Sequence, residues 1–279
     1  MSIYIEVLVN GLVLGGVYGL LSSGLAFTWH VLGIPNASQS AYAILAAFIS
    51  YWLFVLYGVS PFIFVIPMSV AFALGFFYRR FLITRFKDSP PLMIFVVTYI
   101  MAILIEGFMV MFWGSEDHRI PLIFAPVQIF GVYIPFVRLL ALVISIVVFI
   151  AFALFLKYHH VGKAMRAIGQ NPDAAAVVGI NVELLSDIAA GIGASLAGVA
   201  GPLLGLIYSF NPSHQALWLG KIFCIVLLGG IESIYAALLA GFLLGVIETV
   251  SAIFLPVLIS YIISYGLLLL VLLIRFRRV

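Results

Sequence analysis

The feature that most constrains this chain is repetition: one apolar run follows another, most of them long enough to cross a bilayer, which takes about 20 residues of helix. The runs are 5–29, 37–57, 61–78, 92–112, 135–156, 186–209, 217–230, 233–254 and 257–274. Only 8% of the residues are charged and 65% are hydrophobic, where a soluble domain carries about 25% charge. A soluble fold of this size would leave far too much apolar surface in water. An all-α, polytopic transmembrane helix bundle is therefore expected, with nine spans (eight to ten) in a single membrane domain over 1–279. The run 217–230 is short, so a re-entrant or broken helix is the other reading of it.

Lys and Arg orient such a bundle, because they concentrate on the cytoplasmic side. Ten of the thirteen fall in three groups: Arg79, Arg80, Arg85 and Lys87; Lys157, Lys163 and Arg166; Arg275, Arg277 and Arg278. Nine spans put all three groups on one side, with the N-terminus outside, the C-terminus cytoplasmic and the Glu116–Asp117 loop outside. Arg119, Arg138 and Lys221 are exceptions, and Lys221, early in the seventh run, is expected to snorkel outward. The first run lacks a basic start and a small-residue cleavage site, so a retained span is expected. The net charge of +3 is explained by residues flanking spans, and no nucleic-acid partner is expected; the partner of most of the surface is membrane lipid. Cys224 stands alone, which excludes an internal disulfide and a cysteine-rich metal site.

Small residues recur four apart at Gly11, Gly15 and Gly19, at Gly201 and Gly205, and at Gly241 and Gly245. That spacing lets helix backbones approach closely. Pro202 and Gly229–Gly230 are candidates either for broken helices lining a cavity or for ordinary kinks.

One stretch departs from this pattern: "GKAMRAIGQNPDAAAVVGINVE", residues 162–183. The sequence predicts a short helix over Lys163–Ile168, stopped by Gly169. Asn171 then suits an N-cap, Pro172 the first helical position and Asp173 the positive helix end. Ala174 to Val178 continue the second helix, Gly179 suits a left-handed C-cap, and Asn181 caps the next span with Glu183 in its first turn. The two short helices look weakly amphipathic, too weak for strong membrane binding. Such consistent signals describe an ordered cytoplasmic handle for another protein, with a plain inter-helix connection as the alternative.

Polar residues inside spans are costly, about 2.5–3.5 kcal/mol for a mid-membrane charge, and are candidate functional positions. They are Asn10, Ser22, Ser23, Glu106, Glu248 and Thr249, with Asn36, Ser38 and Gln39 where a span begins. The group Asn36–Ser40 suits a weakly polar lining of a route. Glu106 and Glu248 fit either helix-to-helix hydrogen bonding or a proton-coupled secondary transporter, the competing functional class. His159–His160 reads as an interfacial pair and not a metal site. No catalytic triad, HExxH or paired-carboxylate pattern occurs, and no phosphate-binding Gly-x4-Gly-Lys-Ser/Thr loop, so neither an enzyme nor an ATPase site is expected in this chain.

Taken together, these segments resemble the permease subunits of ATP-binding-cassette (ABC) importers of the branched-chain amino-acid type. The handle matches that family's cytoplasmic loop at Gly162, Arg166, Ala167, Asn171, Ala174, Ala175, Gly179, Ile180 and Asn181. The opening matches at Asn10, Gly11, Gly15, Tyr18, Gly24, Leu25, Gly33 and Asn36, and "ASLAGVAGPLLG" and "VLLGGIESIYAALLAGFLLGVIE" resemble its later helices. Ala37-Ser38-Gln39-Ser40, Glu232-Ser233-Ile234-Tyr235-Ala236 and the terminal "IRFRRV" depart from the family pattern and leave the substrate open among branched-chain amino acids, amides, urea and small carboxylates.

The resemblance implies a multi-pass protein of a bacterial or archaeal cytoplasmic membrane that moves a small polar solute inward by alternating access. It implies three partners: cytoplasmic ATP-binding-cassette ATPase subunits, a second homologous permease subunit and an extracytoplasmic substrate-binding protein. This chain would bind no cofactor, and ATP and Mg would be used by the ATPase. Coupling is expected through a segment at 158–183, with Lys163, Arg166, Ala167, Asn171, Asp173, Ala174, Ala175 and Gly179 as its residues. The expected translocation pathway is Asn10, Ser22, Ser23, Asn36, Ser38, Gln39, Glu106 and Glu248.

Overall fold

The computed structural model describes residues 2–86, 89–122, 124–129 and 132–254, with 266, 269 and 273 singly. Ten helices appear there: α1 (Ser2–Leu32), α2 (Gln39–Tyr57), α3 (Val65–Phe81), α4 (Pro91–Trp113), α5 (Phe136–Tyr158), α6 (His160–Gln170), α7 (Pro172–Val177), α8 (Val182–Ile207), α9 (His214–Gly229) and α10 (Ile234–Phe254). A short hairpin of β1 (Val127–Ile129) and β2 (Val132–Ile134) precedes α5, pairing Gln128 with Tyr133. Seven helices (α1–α5, α8 and α10) are long and apolar enough to cross a membrane. The expected ninth span, 257–274, lies outside the described residues except for those three single positions.

Helix α9 has 16 residues, about 24 Å at 1.5 Å per residue, against a hydrocarbon core of about 30 Å. It begins at His214, three residues before the expected run, and ends at Gly229, with Gly230 at φ +93°. Of the two candidate breaks, the double glycine is real. Pro202 interrupts nothing: α8 continues through it to Ile207. Helix α3 also runs past its expected end at 78, which carries Arg79 and Arg80 onto the helix. Arg79 Nη1 reaches Asp187 Oδ1 of α8 at 2.5 Å and the Glu183 carbonyl at 2.8 Å. That basic group therefore joins two spans as well as marking a membrane face.

Helix α8 is the centre of the bundle, with nearly its whole length from Ala189 to Ile207 buried against α1, α2 and α3. A helix apolar on every face belongs in such a position. Its small residues set the spacing: a Cβ on Gly198 would lie 2.7 Å from Met68 Cα, and one on Gly201 would strike the Ala43 carbonyl. The most extensive pairing is antiparallel, α1 on α10. A Cβ on Gly15 would lie 2.5 Å from Phe242 Cα, and one on Gly241 2.6 Å from Gly19 Cα. The four-residue glycine spacing thus marks real backbone contacts, as such motifs do in lipid.

The bundle has two distinct ends. At the basic end α1 finishes beside α6, with the His30 ring over Gly169. At the hairpin end His118 pairs its backbone with Phe210, and its ring packs edge-on to Phe48 and Tyr51 with centroids 5.3 and 4.9 Å away.

Candidate functional site

At the basic end, the handle is built as one piece with the bundle. His159 Nδ1 accepts a hydrogen bond from the Val161 amide at 3.2 Å and caps α6. Gly162, Met165 and Ile168 are buried, a three-residue spacing that gives α6 one inner face. Helix α6 is therefore longer and more amphipathic than the sequence suggests. It runs through Gly169 instead of stopping there, because that glycine serves close approach: a Cβ would lie 2.6 Å from the His30 ring. Asn171 Oδ1 accepts from the Ala174 amide at 3.0 Å, and Asn181 Oδ1 from the Leu184 amide at 3.0 Å, so both N-caps form as their spacing predicts. Gly179 has φ +86°, the left-handed turn expected of it.

Lys163, Arg166, Asn171, Asp173, Ala174 and Gly179 are exposed, Ala167 is half-buried and Ala175 is buried. Ala175 thus faces the bundle instead of a partner. Val177 and Val178, expected only to continue the second short helix, are 87% and 75% exposed. Two branched apolar side chains thus stand uncovered at the end of a capped helix. Arg166 also borders a cavity of about 790 Å³ shared with His30, Lys157, Gln170 and Glu232. Because the native Cys224 is buried, accessibility can be read directly. Val177→Cys is expected to react with a maleimide severalfold faster than Ala175→Cys in the purified protein.

The polar groups within the bundle fall into separate clusters. Asn10 Oδ1 accepts from Arg138 Nη1 at 2.7 Å, which occupies one of the three exceptional basic residues. Ser23 Oγ donates back to the Leu20 carbonyl at 2.7 Å, and Ser22 Oγ is buried with no partner among the described residues. Between α1 and α2 the chain forms an internal turn. Asn36 Oδ1 accepts from the Ser38 amide at 3.0 Å and its hydroxyl at 2.6 Å. The Ala37 amide donates to Thr98 Oγ1 at 3.0 Å, and Gln39 Nε2 to the Gly193 carbonyl at 2.8 Å. Orphan groups at a buried helix start need such partners. In this conformation Asn36 borders a void of only about 20 Å³, and Ser38 and Gln39 are fully buried. In this conformation the residues of the expected polar lining are closed within the packed bundle.

Glu106 and Glu248 are not a pair. Glu106 Oε2 accepts from Gln215 Nε2 at 3.0 Å, and Gln215 Oε1 accepts from Ser40 Oγ at 3.4 Å, joining α4, α9 and α2. Glu248 Oε1 lies 2.6 Å from Lys221 Nζ, which also donates to Tyr18 Oη at 2.9 Å. Lys221 is 3% exposed, so the outward snorkel expected of it is corrected. An opposite charge on the neighbouring helix α10 holds the ammonium inside, which meets the condition for burying a charge. The pair borders a cavity of about 350 Å³ between α1, α9 and α10. Sequence reasoning named Glu248 and missed its partner, although an acid and a base inside two successive spans were the signal.

A multi-pass helical bundle with charges paired between its helices has the build of an integral membrane protein. Residues 7–272 match the family described as the branched-chain amino acid transport system permease component, and the chain belongs to that family. It is 26% identical to the high-affinity branched-chain amino acid transport system permease protein LivH of Salmonella typhimurium, over 97% of this chain and 93% of that one. It is 29% identical to the permease protein BraD of Pseudomonas aeruginosa, over 98% and 94%. A probable LivH of Methanocaldococcus jannaschii is 27% identical over 87% and 79%. No solved structure matches it.

Proposed function

We propose that this chain is the membrane permease subunit of an ATP-binding-cassette importer and carries branched-chain or related amino acids into the cytoplasm by alternating access. Residues 1–279 act as one domain with the N-terminus outside, and 158–183 is its cytoplasmic coupling segment. The observation that carries this reading is the construction of α6 and α7. Both are capped, both are seated on the bundle through Met165, Ile168 and Ala175, and both turn charged or apolar side chains outward. A push on such an element moves the spans attached to it, because a packed unit shifts as a body. Arg166, Lys163, Val177 and Val178 form the face that meets an ATPase, with Asn171, Asp173, Ala174 and Gly179 shaping it and Ala167 and Ala175 seating it. A second homologous permease and an extracytoplasmic binding protein complete the assembly, and ATP and Mg belong to the ATPase.

Co-purification in mild detergent should recover an ATPase, and Arg166→Glu or Val177→Asp should cut ATP-driven uptake at least about tenfold, since losing a central contact costs about 2 kcal/mol or more. Unchanged uptake in both variants would remove the coupling assignment. Uptake that follows the proton gradient and ignores ATP would instead favour the proton-coupled class built on Glu106 and Glu248.

A further inference from the structure

Lys221, Glu248 and Tyr18 sit at one side of the cavity of about 350 Å³, and Leu14, Trp218 and Ala252 line it with apolar surface. Its size falls within the roughly 300–1,000 Å³ of small-molecule sites. Glu248 Oε2 is buried and has no partner among the described residues, and a buried carboxylate oxygen in that state calls for a donor. Ser209, from the α8–α9 connection, and His214, the first residue of α9, place part of the lining at the hairpin end.

On the transport reading given above, we propose that this cavity is an intramembrane site for a zwitterionic α-amino acid with an apolar side chain. Glu248 takes the ammonium group, Lys221 the carboxylate and the Trp218 side the hydrocarbon. The reason is charge balance. An ion pair in a dry interior admits a ligand cheaply only if no charge is left uncompensated. A zwitterion meets that condition, replacing one ion pair by two. A monocarboxylate would bring an unmatched negative charge beside Glu248, and an amino-acid amide an unmatched positive charge beside Lys221. Urea brings neither charge and no apolar group. The exchange of partners also keeps binding weak, as passage requires.

The test is protection of a thiol. Ser209→Cys, and separately Thr249→Cys on the α10 wall, is labelled in nanodiscs with a methanethiosulfonate reagent, and leucine, leucinamide or 4-methylpentanoate is added in millimolar amounts. Leucine is expected to slow labelling severalfold, and the other two compounds to leave it unchanged. In the Lys221→Met/Glu248→Gln background, half-protection should need about 30-fold more leucine, the lower bound for removing a buried charged contact. Equal protection by all three compounds, or none by leucine at either reporter, would overturn the site. So would ATP-driven leucine uptake at the normal rate in the double variant, and that result would leave the importer reading standing. Absence of any ATPase partner would sink the importer reading and leave the protection data as they are.

Discussion

Lys221→Ala is expected to destabilise the protein by about 3–5 kcal/mol, because it leaves the Glu248 carboxylate buried without its counter-charge. Glu248 Oε1 is 2.6 Å from the ammonium, and the pair ties α9 to α10 while Tyr18 ties it to α1. Helix α9 is the shortest of the intramembrane helices described, so it depends strongly on this tether. The double variant Lys221→Met/Glu248→Gln should recover most of the loss, since removing both charges leaves none unpaired. Thermal unfolding of the purified chain in nanodiscs measures both. If the double variant were as unstable as the single ones, the ion pair would not be what holds α9.

Gly15→Val should be strongly destabilising on the α1–α10 seam. Its Cβ would lie 2.5 Å from Phe242 Cα and 2.7 Å from the Gly241 carbonyl oxygen. Both are backbone atoms, so no rotamer change relieves the clash and the two helices must separate. Overpacking a tight contact costs about 1–3 kcal/mol, and more when backbone is forced apart. Gly107→Ala is the control: a Cβ there meets nothing within 4 Å, and replacing a mid-helix glycine gains up to about 1 kcal/mol. A similar melting temperature for both variants would show that the glycine spacing on α1 does not govern its packing on α10.

These two expectations differ in how much of them the sequence already held. The glycine spacing was readable, and so was its meaning, because four-residue spacing places small residues on one helix face whatever the neighbour. The partner was not readable: nothing in Gly11, Gly15 and Gly19 says that Gly241 and Gly245 lie opposite. The handle was more legible still. Asn171, Gly179 and Asn181 do what their positions predict, since a cap is a contact within a few residues of chain. Gly169 misled because a glycine can end a helix or let another element approach, and only the His30 ring above it decides between the two. The β hairpin and the exposure of Val177 and Val178 carry no clear signal against so apolar a background.

Hydropathy, charge position and caps are local properties, and by themselves they determined that this is a membrane bundle with a structured elbow among its basic residues. They could not determine how each span is turned about its own axis, because a helix apolar on every face carries no marker of which side meets protein. Tertiary packing decided that Lys221 points inward to Glu248, that Glu106 belongs with Gln215, and that the Asn36–Gln39 turn is closed. The reason is that a charge in an apolar medium goes to its counter-charge, and the position of that counter-charge is a property of the assembled helices.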